Sequence, residues 1–144
     1  DWPKTGAQHS AMALRVYAYR DVAGWLNGTV TVGAVVAAPE TGALGYYYDG
    51  PILDACALVS PEALPYLPVP ADECHPALSG GAIGSQLVRD LRPEYVVTMP
   101  IFAEMSLGRA AWFADEYALI YAAPLPRRLW GSDEVLVYAR TSPW

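Results

Sequence analysis

Asp54 stands inside an apolar run, ILDACALV at 52–59, and needs a physical explanation before any other residue. Burying a carboxylate unpaired costs several kcal/mol. It must therefore face a polar cleft, accept backbone N–H groups, or pair with a base such as Arg15, Arg20 or Arg89. The first option makes Asp54 a ligand residue; the others make it a tie between a loop or helix and a sheet. Glu40 follows the apolar run TVTVGAVVAA at 29–38 and its stop at Pro39. That is the carboxyl end of an expected strand, where open α/β sheets place ligands. Glu40, Thr41, Gly42 and Asp54 are thus the candidate ligand-binding residues.

Other chemistries have less support. Gly42 and Gly45 follow a buried strand as in a dinucleotide-binding turn. The third glycine is missing, however, and Asp54 comes only twelve residues after Gly42. Gly80-Gly81-Ala82-Ile83-Gly84-Ser85 opens a helix without the lysine of a phosphate loop. There is no Gly-x-Ser-x-Gly, and the two histidines are His9 near the start and His75 beside Cys74, Glu73 and Asp72. Adjacent residues point in different directions, so no metal site is expected there. A hydrolase using Asp54 with His75 would rest on one acid and one loop histidine. No catalytic residue, metal or cofactor is assigned. Cys56 and Cys74 have seventeen residues between them. In an oxidising compartment a disulfide between them would pin the intervening loop to the sheet. Otherwise Cys56 is a buried inert thiol and Cys74 a free one, and the sequence leaves both readings open.

The elements that must position these residues follow from periodicity. Met12, Val16, Tyr19, Ala23 and Leu26 form one helical stripe within Ala11–Leu26, ended by Asn27-Gly28. Thr29–Ala38 and Ile52–Val59 lack polar alternation, so they read as strands covered on both faces. A short helix is expected over Ala43–Tyr48. Ser60–Pro76 carries five prolines and reads as a surface loop with one helical turn at Pro61–Leu64. Gly84–Leu91 reads as a helix, Tyr95–Met99 as a third strand, and Ile101–Asp115 as loop plus helix. Tyr117–Ala123 and Glu134–Arg140 are the last strands, joined by a turn-rich Pro124–Ser132. That link is too short for a crossover helix, so the final two strands must be antiparallel.

The expected architecture is an α/β three-layer sandwich, Rossmann-like, on a mixed sheet of about five strands. The first three strands would be parallel. Residues 1–10 read as a lead-in arm and 11–144 as one domain.

Composition narrows the function classes. The 144 residues are 53% hydrophobic and carry nine Lys+Arg against fifteen Asp+Glu, a net charge of −6. The chain can fill a core, and its acidity argues against nucleic-acid binding. No run reaches the ~20 apolar residues of a membrane span. The chain starts at Asp1 without methionine, as a processed or excised piece would. Five Trp and ten Tyr exceed simple core needs only at Trp2, Trp130 and Trp144. Trp130 beside Arg127 and Arg128 would suit an interfacial contact to lipid or to a partner chain, or a solvated hairpin tip.

Three stretches together carry a resemblance: the helix Tyr17–Leu26, the run VVAAPETGALGYYYDGPILDACALVSPE from Val35 to Glu62, and LVRDLRPEYVV from Leu87 to Val97. The combination resembles the soluble C-terminal domain of polytopic bacterial membrane glycosyltransferases related to protein mannosyltransferases and arabinosyltransferases. The resemblance implies an extracytoplasmic domain attached to many membrane helices. It implies a parent enzyme that takes sugar from a polyprenyl-phosphate donor with acids in its membrane loops. This part would be a non-catalytic accessory domain, partnered by the transmembrane part of its own chain and by carbohydrate or lipid-linked sugar. No catalytic residue of that family maps onto this sequence. The alternative is a free-standing nucleotide-binding Rossmann-like domain.

Overall fold

The computed structural model describes residues 11–78 and 80–143, with the side chains of Ala11 and Met12 left aside. The expected lead-in arm, with His9, therefore lies outside the described residues, as does Trp144. The first helix, α1 (Ala11–Thr29), is longer than the periodicity predicts, running through Asn27-Gly28. Its buried face is Leu14, Ala18, Tyr19, Val22, Ala23 and Leu26. Val16, assigned to the stripe by spacing, is 46% exposed. The face is rotated because α1 packs against the apolar residues of β1 and of the later hairpin.

A mixed five-stranded sheet forms the centre of the domain, in the order β2-β1-β3-β5-β4. Strands β1 (Val36–Ala38), β2 (Ile52–Asp54) and β3 (Tyr95–Thr98) pair in parallel, with Ala38 opposite Asp54 and Ala37 opposite both Leu53 and Val96. β4 (Tyr117–Leu129) and β5 (Ser132–Arg140) form an antiparallel hairpin, and β5 joins β3 antiparallel. Along β1 and β3 the side chains divide between two apolar clusters. Val36, Ala38 and Val97 pack with α1, while Ala37 and Val96 pack with α3 (Ser85–Leu91) and α5 (Ala111–Glu116). This alternation explains why the strands carry no polar period.

Two expected strands are much shorter than predicted. Thr29–Ala38 gives only three strand residues, because α1 continues to Thr29 and the chain then turns through Gly33 at φ 85°. Ile52–Val59 stops at Asp54, whose carboxylate folds the following residues into a turn.

The link over Pro124–Ser132 behaves in the opposite way. Both strands continue to a two-residue turn at Trp130-Gly131, which have φ 47° and 77°. Both central residues at positive φ match the twist of a tight hairpin. The prolines are tolerated because β4 is an edge strand with unpaired N–H positions, and its register shifts between Pro124 and Leu129.

The short helix α2 (Gly42–Tyr47) connects β1 to β2, and α4 (Pro100–Ala103) follows β3. After α2, the Tyr48 hydroxyl donates to Ala34 O at 2.6 Å, anchoring the turn. A Cβ on Gly50 would lie 2.4–2.6 Å from the Tyr48 ring and hydroxyl, so this turn requires glycine.

Candidate functional site

Asp54 ends β2 buried, 1% exposed, and both of its carboxylate oxygens are engaged. Oδ1 accepts the Cys56 N–H at 3.0 Å; Oδ2 accepts those of Leu58 and Val59 at 2.9 and 3.2 Å. Ser60 closes the same turn: its Oγ accepts the Asp54 N–H at 2.8 Å and donates to Ile52 O at 3.3 Å. Ala57 completes the reversal at φ 58°, a left-handed conformation that costs a non-glycine residue about 1 kcal/mol. Asp54 is the tie rather than an acid presented to a cleft.

The other three candidates lie together at the end of β1. Glu40 forms an ion pair with Arg15 of α1. Arg15, Tyr19, Glu40 and Gly42 line a groove of about 150 Å³. Burial lowers the Arg15 pKa and raises that of the Tyr19 phenol. The Arg15 guanidinium also lies over the Trp130 ring, 4.6 Å from its centroid, and Trp130 meets Phe102 edge-on. Thr41 precedes α2 with no side-chain cap bond; its carbonyl accepts the Gly45 N–H at 2.6 Å. Nothing lies within 4 Å of a Cβ built on Gly42, so no close backbone approach demands glycine there.

A larger cavity, about 860 Å³, opens beyond the carboxyl ends of β2 and β3. Its walls are mainly apolar, from Leu64, Leu67 and Val69 of the proline-rich segment together with Leu78 and Ala82. That segment is a surface loop, as expected, with Ser60 and Ala63 its buried residues. It contains two 3-10 turns, Pro61–Tyr66 and Ala71–Glu73. Ile83 N donates to Phe102 O at 2.9 Å, and Ser85 binds Glu73 through both its N–H and its hydroxyl, at 2.8 and 2.6 Å. The volume falls in the range of small-molecule sites.

Three polar side chains reach this cavity: Cys56, Cys74 and His75. Both cysteines are free thiols in the structure. Cys56 donates to Pro39 O at 3.3 Å, and burial, aided by the Asp54 charge, raises its pKa. It is a protonated, weakly nucleophilic thiol at neutral pH. His75 Nδ1 accepts the Ala77 N–H at 3.0 Å, leaving Nε2 to face Glu104 Oε1 at 3.4 Å. Asp54 and His75 therefore have separate partners and do not form a catalytic pair. The neighbours of His75 also diverge, with Glu73 turned toward Ser85. Among the described residues no three His, Cys, Asp or Glu side chains cluster as metal ligands.

The sequence singled out Glu40, Thr41, Gly42 and Asp54, and it missed the cavity. Its walls come from a segment whose prolines mask any helical or strand period. The usable signal was the spacing of Leu64, Leu67, Val69 and Leu78, too many apolar residues for a solvated loop.

Fold and site together define an α/β domain with a mixed sheet and an apolar cavity at the carboxyl end of its parallel strands. Within that class, the chain belongs to the family described as Domain of unknown function (DUF8728), whose model matches residues 8–138. No curated protein and no solved structure matches the chain. Among the described residues no helix is long and apolar enough to cross a membrane.

Proposed function

We propose that this is a non-catalytic, ligand-holding accessory domain of a bacterial membrane glycosyltransferase-like protein, standing on the extracytoplasmic face. The observation that carries the ligand-holding part is the apolar cavity of about 860 Å³ at the carboxyl edge. A chamber with apolar walls and three polar groups suits the hydrocarbon part of a lipid-linked sugar better than a bare sugar, which needs many hydrogen-bond partners. The resembling stretches supply α1, β1-α2-β2 and α3-β3, the half of the fold that frames this edge. Within them Tyr48, Gly50 and Asp54 hold turns, which supports an architectural role for the shared pattern. With apolar clusters on both faces of its sheet, we read the domain as a Rossmann-like three-layer sandwich.

Nucleotide binding is the weaker reading. A phosphate at the start of α2 would meet the Glu40 carboxylate, and α2 has only six residues.

The test is thermal unfolding of the full chain with farnesyl phosphate, with mannose, and with ATP or NAD, each to millimolar concentration. Farnesyl phosphate should raise Tm, since a ligand at 100 times its Kd stabilises by about 2.7 kcal/mol. Mannose alone and the nucleotides should not. Ala71→Trp, at the exposed wall of the cavity, should remove the shift without lowering the starting Tm. Stabilisation by ATP or NAD, or none by farnesyl phosphate, would overturn the reading.

A further inference from the structure

A headgroup attached to a chain in the apolar cavity needs polar partners of its own, and the cavity supplies few. The groove of about 150 Å³ beside Glu40 has them. It lies where open α/β sheets place ligands. In the order β2-β1-β3 the chain leaves β1 toward one side through α2 and leaves β3 toward the other, so a crevice forms between their carboxyl ends.

Tyr19 is 3% exposed, yet its O–H proton has no acceptor among the described residues. The Met99 N–H, just past β3, faces the oxygen of the same hydroxyl. Glu40 Oε2 is also shut off from water with no donor among the described residues, while Oε1 holds Arg15. Buried polar atoms left without partners are costly, and two of them belong to side chains lining one groove. Trp130 stands beside it. At φ 47° it fills a left-handed turn position that Asn or Gly would take with less strain, and its ring, 47% exposed, lies against Arg15.

Groove and cavity are neighbours. The Cys56 thiol on the cavity wall donates to Pro39 O, one residue before Glu40. Phe102, which meets Trp130 edge-on, would lie 3.8 Å from a Cβ built on Gly81 of the same wall.

We propose that this groove seats a neutral sugar ring, the headgroup of the ligand whose chain fills the cavity; the proposal rests on the ligand-holding reading above. Charge selects the class. Arg15 and Glu40 cancel, so a phosphate or an ammonium group gains no net attraction and meets a like charge. A hydroxyl donates and accepts at once, so it can give its proton to Glu40 Oε2 and take that of Tyr19. The groove is well below the size of a drug-sized pocket and suits one ring. A free sugar would have these contacts alone, which agrees with mannose leaving Tm unchanged at millimolar concentration.

The experiment is an NMR titration of the full chain with octyl β-D-glucoside, octyl α-D-mannoside and tetraethylene glycol monooctyl ether. The three share one chain and are kept below their micelle concentrations; farnesyl phosphate is the probe for the cavity itself. All four should shift the methyl groups of Leu64, Leu67 and Val69. Only the glycosides should also shift the Gly42 and Ala43 amides, and the better of them should bind about tenfold tighter than the ether. Tyr19→Phe should erase about fivefold of that preference at nearly unchanged Tm, since the hydroxyl proton it removes has no acceptor. Glu40→Gln should also reduce the preference, and both variants should bind the ether as the parent does. A purely structural Tyr19 would instead lower Tm and leave the preference intact.

Glycosides that bind no tighter than the ether, or a preference that both substitutions leave intact, would overturn the proposal. Binding of farnesyl phosphate would then keep the ligand-holding reading standing. If no probe enters the cavity, farnesyl phosphate included, both fall.

Discussion

Asp54→Asn and Asp54→Ala separate an architectural carboxylate from a ligand-binding one. The native side chain accepts three backbone N–H groups at 2.9–3.2 Å. Hydrogen bonds to a charged acceptor contribute about 1.5–3 kcal/mol each when both groups are withdrawn from water. Leu58 and Val59 are exposed and can recover water on their N–H groups; Cys56 is half-buried and recovers less. Discounting the exposed pair, Asp54→Ala should cost about 3 kcal/mol. In Asp54→Asn one oxygen still serves one side of the turn, but the amide NH₂ meets N–H donors, for a loss of about 2 kcal/mol. Urea unfolding followed by tryptophan fluorescence measures both. With an m-value on the order of 2 kcal/mol per molar, the midpoint should fall by about 1–1.5 M at unchanged slope. A loss below about 0.5 kcal/mol for Asp54→Ala would refute the reasoning.

Three further outcomes follow from the same geometry. Ala57→Gly should stabilise the domain by about 0.5–1 kcal/mol, against the usual sign for glycine, because residue 57 sits at φ 58°; chemical denaturation checks it, and a net loss would count against the turn. Cys56 should react with iodoacetamide more slowly than a model thiol at pH 7.5 and speed up at higher pH than the model does, since burial and Asp54 hold it protonated; mass-resolved labelling reads this. Stability should fall on the alkaline side. Tyr117 is pushed up to about 12 by burial, and its hydroxyl donates to Pro93 O at 2.7 Å. A raised folded pKa means its contribution is complete below pH 10 and is lost as pH rises toward 12, about 1 kcal/mol by pH 11. Tyr117→Phe should flatten that decline in denaturation curves from pH 9 to 11.

What could be read from the chain depended on how local the cause was. α1 was legible from its helical spacing, the central strands from apolar runs without polar alternation, and the closing hairpin from the shortness of its link. The lengths of β1 and β2 were not. A run such as ILDACALV has strand composition throughout, and only the hydrogen bonds of Asp54 show that the strand ends there. The continuation of β4 through Pro124 was hidden for a related reason, since an edge position excuses a proline and edge status is a property of the whole sheet. Glu40 and Gly42, with Thr41 between them, border a separate small groove with Arg15 and Tyr19, and none of the three lines the larger cavity. The cavity joins residues from 56 to 82 around a segment folded by its prolines, and no short-range pattern announces it. Val16 shows the same limit on a small scale: correct helical spacing, wrong face, because packing against the hairpin sets the rotation of α1.

The most direct test of the ligand-holding account is a methyl-labelled NMR titration of the full chain with farnesyl phosphate. The account predicts saturable shifts confined to the methyl groups of Leu64, Leu67, Val69 and Leu78, with the backbone signals of Glu40–Gly42 and the Leu119 and Ile120 methyls unmoved. Shifts centred on Glu40–Gly42, or none at saturating probe, would contradict it.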